Sequence, residues 1–463
     1  MAGAKFYSQT TSWCPECRQK VPARIVSADS RVWLEKVCER HGIDRVLVSE
    51  DVPGYERRLA HVRPGLAPLS RFNPGFAGCP ESCGLCPEHR QHTCLPVAEI
   101  TSRCELGCPV CLKTDGDVYE MTPGEFRRAL SRLREYEGEV MLLNLSGGEP
   151  TLHPEFGKFV NIARSAGVAQ LTVSTNGLRL LNDPALRELF VRGNVVAALQ
   201  FDGLDDEIYL KLRGRKLLEE KLRLVEIFEA EKLPYSLVAV AARGVNDHAL
   251  ADLADFFFQS KALSLMFQPV ALTGRAGSGG AFRTDNRLTL DRAVAEIEKS
   301  KHMAPGDMAP IACSHPGCAA SAYYFKIGPN RFLSLKDFLG FPQYQKVTSN
   351  RSFPGLDLEG HQVIKDRIYE SWSSLTSSPG DKEVRARIRE FFKSLEGREF
   401  TPEQAFETGR DSVKSVFVHG LMDPLSFDFD RLVKCCNHYL QAGGRLVPMC
   451  AHNLAKHPGP PEA

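Results

Sequence analysis

Residues 95–116 read LPVAEITSRCELGCPVCLKTDG. An apolar, strand-like run leads directly into Cys104, Cys108 and Cys111, spaced C-x3-C-x2-C. Three thiols that close in sequence can meet at one point in space. Outward from there, residues 95 to 275 alternate strand-like and helix-like segments. EVMLLNLSGGEP, QLTVSTNG, NVVAALQFDG, YSLVAVAARG and ALSLMFQPV follow as further strands. Between the first two lies MTPGEFRRALSRLREYEG, a helix with Thr122 as N-cap, Pro123 at its first position and Glu125 closing a capping box. Helices are also expected in PEFGKFVNIARSAG, DPALRELFVRG, RKLLEEKLRLVEIFEAEK and DHALADLADFFFQS. Six strand–helix units imply an α/β fold with a parallel sheet covered by helices, and ligands bind at the carboxyl ends of such strands. The cysteine loop, SGGEP, STNG and QFDG all fall on that edge.

The 463 residues are 43% hydrophobic and 25% charged with a net charge of +1, an ordinary globular composition too long for one small core. That balance leaves no electrostatic footprint for nucleic acid. Apolar runs are shorter than a membrane span, and the first residues lack a signal-peptide layout, so a cytoplasmic location is expected. A lipid substrate would make the protein peripheral to the membrane.

Fifteen cysteines in tight groups suit shared metals better than disulfides. Cys14, Cys17, Cys38 and His41 (C-x2-C, then C-x2-H) fit a zinc ribbon, with a rubredoxin-like mononuclear iron as the alternative. Cys79, Cys83, Cys86 and Cys94 would saturate a [4Fe–4S] cluster, with zinc as competitor; His89 and His92 between them read as loop histidines. Cys313, Cys318, Cys435, Cys436 and Cys450 offer four ligands for another cluster and one spare thiol. Adjacent cysteines on a helix diverge by about 100°, and Cys436 is the favoured ligand of that pair. The expected divisions are a ribbon or rubredoxin-like module (1–60), a cysteine-rich segment (61–94), a core barrel (95–275) and an irregular C-terminal extension carrying the last cysteines (276–463).

Cys104, Cys108 and Cys111 can hold three irons of a [4Fe–4S] cluster and leave the fourth open to a non-protein ligand. Their spacing resembles that of the radical S-adenosylmethionine (radical SAM) enzymes. Gly147, Gly148, Glu149 and Pro150 match that family's GGEP motif, although Val110 stands where many members carry an aromatic residue. The resemblance implies a partial (β/α)6 radical SAM barrel. It implies that Glu149 and the GGEP backbone hold the methionyl ammonium, and that Ser174 and Asn176 face the carboxylate. Gln200 and Asp202 would contact the ribose, and Gln268 of FQPV would border the adenine. Reductive cleavage of SAM to a 5′-deoxyadenosyl radical, hydrogen abstraction from unactivated carbon, and a low-potential donor such as ferredoxin or flavodoxin follow from it.

The order of cysteine groups, with ARGVNDH, FQPVALTGR and VFVHGLMD, resembles the tetraether lipid synthase group, some of whose relatives are described as pterin methyltransferases. Carbon–carbon coupling on a lipid-like substrate is the implied activity. Modification of a pterin, small metabolite or peptide is the alternative, and a non-catalytic electron carrier a third reading that the GGEP motif disfavours.

Overall fold

The computed structural model describes residues 4–71, 83–113, 116, 118–278, 280–311, 313–351, 362–364, 366–367, 410 and 412–455. Its first sheet is antiparallel and paired in sequence order: β1 (Lys5–Trp13), β2 (Lys20–Ala28), β3 (Arg31–Cys38) and β4 (Gly42–Ser49). Cys14 and Cys17 sit in the turn after β1, and Cys38 and His41 flank the turn after β3. Ser12 Oγ donates to the Phe427 carbonyl at 2.5 Å, and Thr10 Oγ1 to Asp428 at 2.6 Å. Trp13 packs on Phe427 and Phe429, so the C-terminal region holds this sheet in place.

All six expected core strands form: β5 (Leu95–Thr101), β6 (Leu142–Gly147), β7 (Gln170–Thr175), β8 (Val195–Gln200), β9 (Tyr235–Ala241) and β10 (Ser264–Pro269). They run parallel and adjacent in that order. The helix after the cysteine loop, Pro123–Glu137, carries the full capping box: Glu125 N–H donates to Thr122 Oγ1 at 3.2 Å, and Thr122 N–H to Glu125 at 2.7 Å. In β6, β7, β9 and β10, buried and partly open positions largely alternate. Leu145, Val173, Leu237 and Phe267 take the buried positions and pack with Phe126, Phe159, Phe228 and Phe257 of the covering helices. Removing one such ring costs about 3–5 kcal/mol. The intervening residues face the other way, into the concave side.

The C-terminal half was expected to be irregular, and it is not. It supplies β11 (Ala309–Pro310), β12 (Ala319–Gly328), β13 (Arg331–Ser334), β14 (Val413–His419), β15 (Asn437–Leu440) and β16 (Leu446–Pro448). β14 adds parallel beside β10 and β15 parallel beside β5, so both open edges of the six-stranded core are continued. Unpaired edge N–H and C=O groups drive that closure, which local sequence cannot announce.

Candidate functional site

Each of the three loop thiols receives an N–H. Leu106 N donates to Cys104 Sγ and Lys113 N to Cys111 Sγ, both at 3.4 Å. Arg213, the last residue of helix Asp206–Arg213, hydrogen-bonds Cys108. Donors of this kind favour the thiolate, the form that ligates metal. The helix is locked to the loop because Val110 N donates to the Leu212 carbonyl at 3.3 Å. Val110 itself is buried against Ile208 and Leu212, an aliphatic contact where an aromatic residue was looked for.

The glycines of SGGEP serve a close approach. A Cβ on Gly147 would overlap the Thr101 carbonyl, and one on Gly148 the carbonyls of Ser102 and Arg103; Gly147 also has φ of 141°. The turn is stitched to the cysteine loop by Gly148 N to Thr101 O at 2.8 Å and Glu149 N to Arg103 O at 2.7 Å. Pro150 opens a single 3-10 turn behind it.

Two residues expected at the ligand also hold the loops together. The Glu149 carboxylate, expected to meet an ammonium, is fully buried and already accepts from Thr151 N–H and hydroxyl, Thr175 hydroxyl and Asn176 N–H at 2.6–3.2 Å. It ties the GGEP turn to STNG. Burial nevertheless holds its carboxyl above the usual range. Asp202, expected at a ribose, is also buried: Arg213 takes both oxygens at 2.7 and 2.8 Å, Val240 N–H donates at 2.9 Å, and Gln200 completes the shell. The Gln200 carbonyl in turn accepts from Lys221 at 3.0 Å. Lys221 also donates to the Asn176 carbonyl, and burial lowers its pKa to about 7. Both carboxylates therefore brace the loops. Lys221 and Arg213 escaped sequence reading because nothing local marks a helix residue that reaches under a neighbouring loop.

Other expected contacts are better placed. The Nδ2 donor of buried Asn176 has no hydrogen-bond partner among the described residues, as a site for an anionic group requires. Ser174 bonds Asn144, and Gln268 faces the concave side beside Met266. The thiol triad, the glycine cradle and this orphaned amide together fit a [4Fe–4S] cluster with bound SAM.

At the ribbon, the ligand atoms of Cys14, Cys17, Cys38 and His41 all lie within 4.8 Å of one another. Cys17 and Cys38 Sγ are 3.8 Å apart, the span of two thiolates bound about 2.3 Å from one tetrahedral ion. The set fits a single metal ion. Backbone N–H groups, first that of Gln19, lower the Cys17 thiol to about 6.

The remaining cysteines regroup. Cys94 was expected with Cys83 and Cys86, yet its thiol hydrogen-bonds Cys436. Burial and then Cys436 push the Cys313 thiol up to about 12. Burial, then repulsion from Cys450, Cys436 and Cys318, raises the Cys435 thiol, treated as spare, well above its ordinary range. Cys83 packs in one cluster with Cys450, and buried Arg431 hydrogen-bonds Cys318. The pair is not helical; it lies between a turn at Val433 and Lys434 and the start of β15. Cys79 lies outside the described residues. Mutually repelling buried thiols are what a cluster relieves, since bound thiols are deprotonated outright.

Residues 74–257 match the Radical SAM superfamily, and residues 6–50 the HMPTM N-terminal zinc ribbon domain. The chain is 26% identical to the 7,8-dihydro-6-hydroxymethylpterin dimethyltransferase of Methanocaldococcus jannaschii, over 96% of this chain and 93% of that protein. It is 27% identical to the PqqA peptide cyclase of Bradyrhizobium diazoefficiens, over 45% of this chain and about half (54%) of that one. Streptococcus suis SuiB bound to S-adenosylmethionine superposes with a TM-score of 0.35 at 17% identity, covering 39% of this chain and 41% of that one, too slight a likeness for any argument. No helix among the described residues is long and apolar enough to cross a membrane. The cysteine triad and the parallel α/β sheet agree with the radical SAM match, and residues 74–257 form a radical SAM domain.

Proposed function

We propose that this enzyme modifies an unactivated carbon of a polar, pterin-like heteroaromatic substrate, adding carbon to it. The observation that carries the reading is the chemistry of the concave side, where Asn144, Thr172, Ser174, Ser236, Ser264 and Gln268 are only partly buried. They form short polar chains: Thr172 to Asn144 at 2.9 Å, Asn144 to Ser174 at 2.9 Å, Ser264 to Ser236 at 2.8 Å. Covering such groups with saturated hydrocarbon leaves their remaining donors and acceptors desolvated. A flat ring with its own donors and acceptors replaces the lost water. The full-length similarity to a pterin dimethyltransferase supports the same choice.

A [4Fe–4S] cluster with SAM supplies, when bound, a 5′-deoxyadenosyl radical able to abstract such a hydrogen. Cys104, Cys108 and Cys111 would hold the cluster, the GGEP backbone and Asn176 would seat the methionyl end, and Gln268 would border the adenine. Arg213 and Lys221 position the loops. Cys94, Cys313 and Cys436, with one thiol from residues 79–86, would form one further centre. Cys83, Cys318, Cys435 and Cys450 would form another. A ferredoxin or flavodoxin would supply the electrons.

The test is an anaerobic incubation of reduced, reconstituted protein with SAM and 7,8-dihydro-6-hydroxymethylpterin, and separately with diether lipids. Formation of 5′-deoxyadenosine with a methylated pterin is expected. Joined lipid chains and an unaltered pterin would replace this reading with the coupling activity implied by the lipid synthase resemblance.

A further inference from the structure

Helix Phe341–Thr348 is fixed against the chain at His61: Gln345 Nε2 donates to the His61 carbonyl at 2.7 Å, and the Phe341 and His61 rings pack with centroids 4.1 Å apart. Two residues past its end stands Asn350 with φ of 57°, in the left-handed region that Asn tolerates better than most side chains. A left-handed residue after a helix usually turns its N–H back to the last carbonyls. In this chain Ser349 N–H does that, reaching Gln345 O at 3.0 Å, and Asn350 N–H donates to Cys313 Sγ at 3.1 Å. The Asn350 carbonyl faces His92 Nε2 at 3.3 Å, and the same nitrogen lies 3.5 Å from Cys94 Sγ. Glu137, the last residue of helix Pro123–Glu137, meets the other ring nitrogen at 3.3 Å. The Asn350 side chain ties in the neighbouring segments. Its Oδ1 accepts from Gln91 Nε2 at 3.0 Å and Leu66 N–H at 3.1 Å, and its Nδ2 donates to the Pro64 carbonyl at 3.4 Å.

We propose that Asn350 is the positioning residue of the centre built on Cys94, Cys313 and Cys436, its left-handed backbone aiming an N–H at the Cys313 sulfur and a carbonyl at the histidine beside Cys94. The inference rests on the assignment of those thiols to one further centre. Hydrogen bonds to the sulfurs of an iron–sulfur centre help set its potential, because they stabilise the more negative, reduced state. The N–H and the carbonyl flank one Cα, so a single backbone conformation places both contacts. An extended or right-handed φ at this residue would swing the N–H away from Cys313. His92, read from the sequence as a loop histidine, becomes a second donor toward the same centre, oriented by Glu137 and the Asn350 carbonyl. Two thiols more than two hundred residues apart, Cys94 and Cys313, thus share one supporting residue.

Anaerobic redox titration of the reconstituted full-length protein, followed by electron paramagnetic resonance with and without SAM, tests this without turnover. The signal that SAM alters belongs to the centre of Cys104, Cys108 and Cys111 and serves as the internal reference. Asn350→Gly keeps the left-handed φ, the N–H and the carbonyl, and is expected to leave every potential in place. Asn350→Val puts a β-branched residue where the left-handed region rejects it, and is expected to make one SAM-insensitive potential more negative. His92→Phe, which leaves residue 350 untouched, is expected to shift the same potential in the same direction and decides the matter if the valine variant does not fold. SAM-insensitive potentials equal to wild type in Asn350→Val and His92→Phe would overturn the role of Asn350 and leave the centre standing. A shift in Asn350→Gly as large as in Asn350→Val would overturn it too, since the glycine retains the backbone contacts. Wild-type protein holding only about four irons per chain, the content of one cluster, would overturn the centre and the proposal together.

Discussion

Asp202 and Arg213 form a two-pronged buried pair at 2.7 and 2.8 Å, and the same guanidinium reaches Cys108. One carboxylate at the end of β8 thus aims a cation at a thiol on the loop after β5, across the mouth of the sheet. Asp202→Ala would leave that cation buried and unpaired, costing about 3–5 kcal/mol. Denaturant titration of the anaerobic protein reads this. Arg213→Met should instead make the reduction potential of the triad's centre more negative, because a cation that favours the extra electron is gone. An unchanged potential would show that Arg213 only packs.

Gly148→Ala places a methyl group on the Arg103 and Ser102 carbonyls. The cysteine loop must move, since backbone cannot yield like a side chain. The variant should load about four fewer irons per chain while keeping the other centres. Iron analysis with circular dichroism, to confirm the fold, decides the matter.

Cys435 and Cys436 are adjacent in sequence but assigned to different thiol groups, so their single variants should damage different centres. Cys436→Ala combined with Cys94→Ala should be little worse than either alone, because both strike one group. Cys435→Ala with Cys94→Ala should be additive in iron loss. Additivity in both pairs would break the regrouping.

Cys17→Ala should cost one zinc per chain and lower the melting temperature without removing the cluster absorbance. Structural zinc contributes folding energy directly, and this ion joins two turns of one small sheet. Elemental analysis alongside visible spectra measures it; iron in place of zinc would indicate the rubredoxin-like alternative.

Lys221 gives a pH signature. Its pKa falls from 10.5 to about 7 because burial disfavours the charged form. Between those values the unfolded chain binds a proton that the folded chain does not, so stability should rise with pH from about 7 to about 10. Lys221→Met should flatten that rise in denaturation midpoints, and an identical slope would mean that Lys221 stays charged.

The core was readable because its signals are local. Thr122, Pro123 and Glu125 start a helix by their own hydrogen bonds, and the buried alternation of β6, β7, β9 and β10 is written residue by residue. The thiol triad and SGGEP were legible for the same reason, since ligands a few residues apart need no distant partner. Tertiary structure alone decided what Glu149 and Asp202 do. A carboxylate beside a glycine turn gives no sign of which loops it will brace, and the donors brought by β7, β9 and helix Asp206–Arg213 supply that. It also decided that β14 and β15 continue the sheet and that Cys94 meets Cys436. Those pairings join segments more than a hundred residues apart, where edge hydrogen bonding and burial choose the partner and spacing along the chain carries no information.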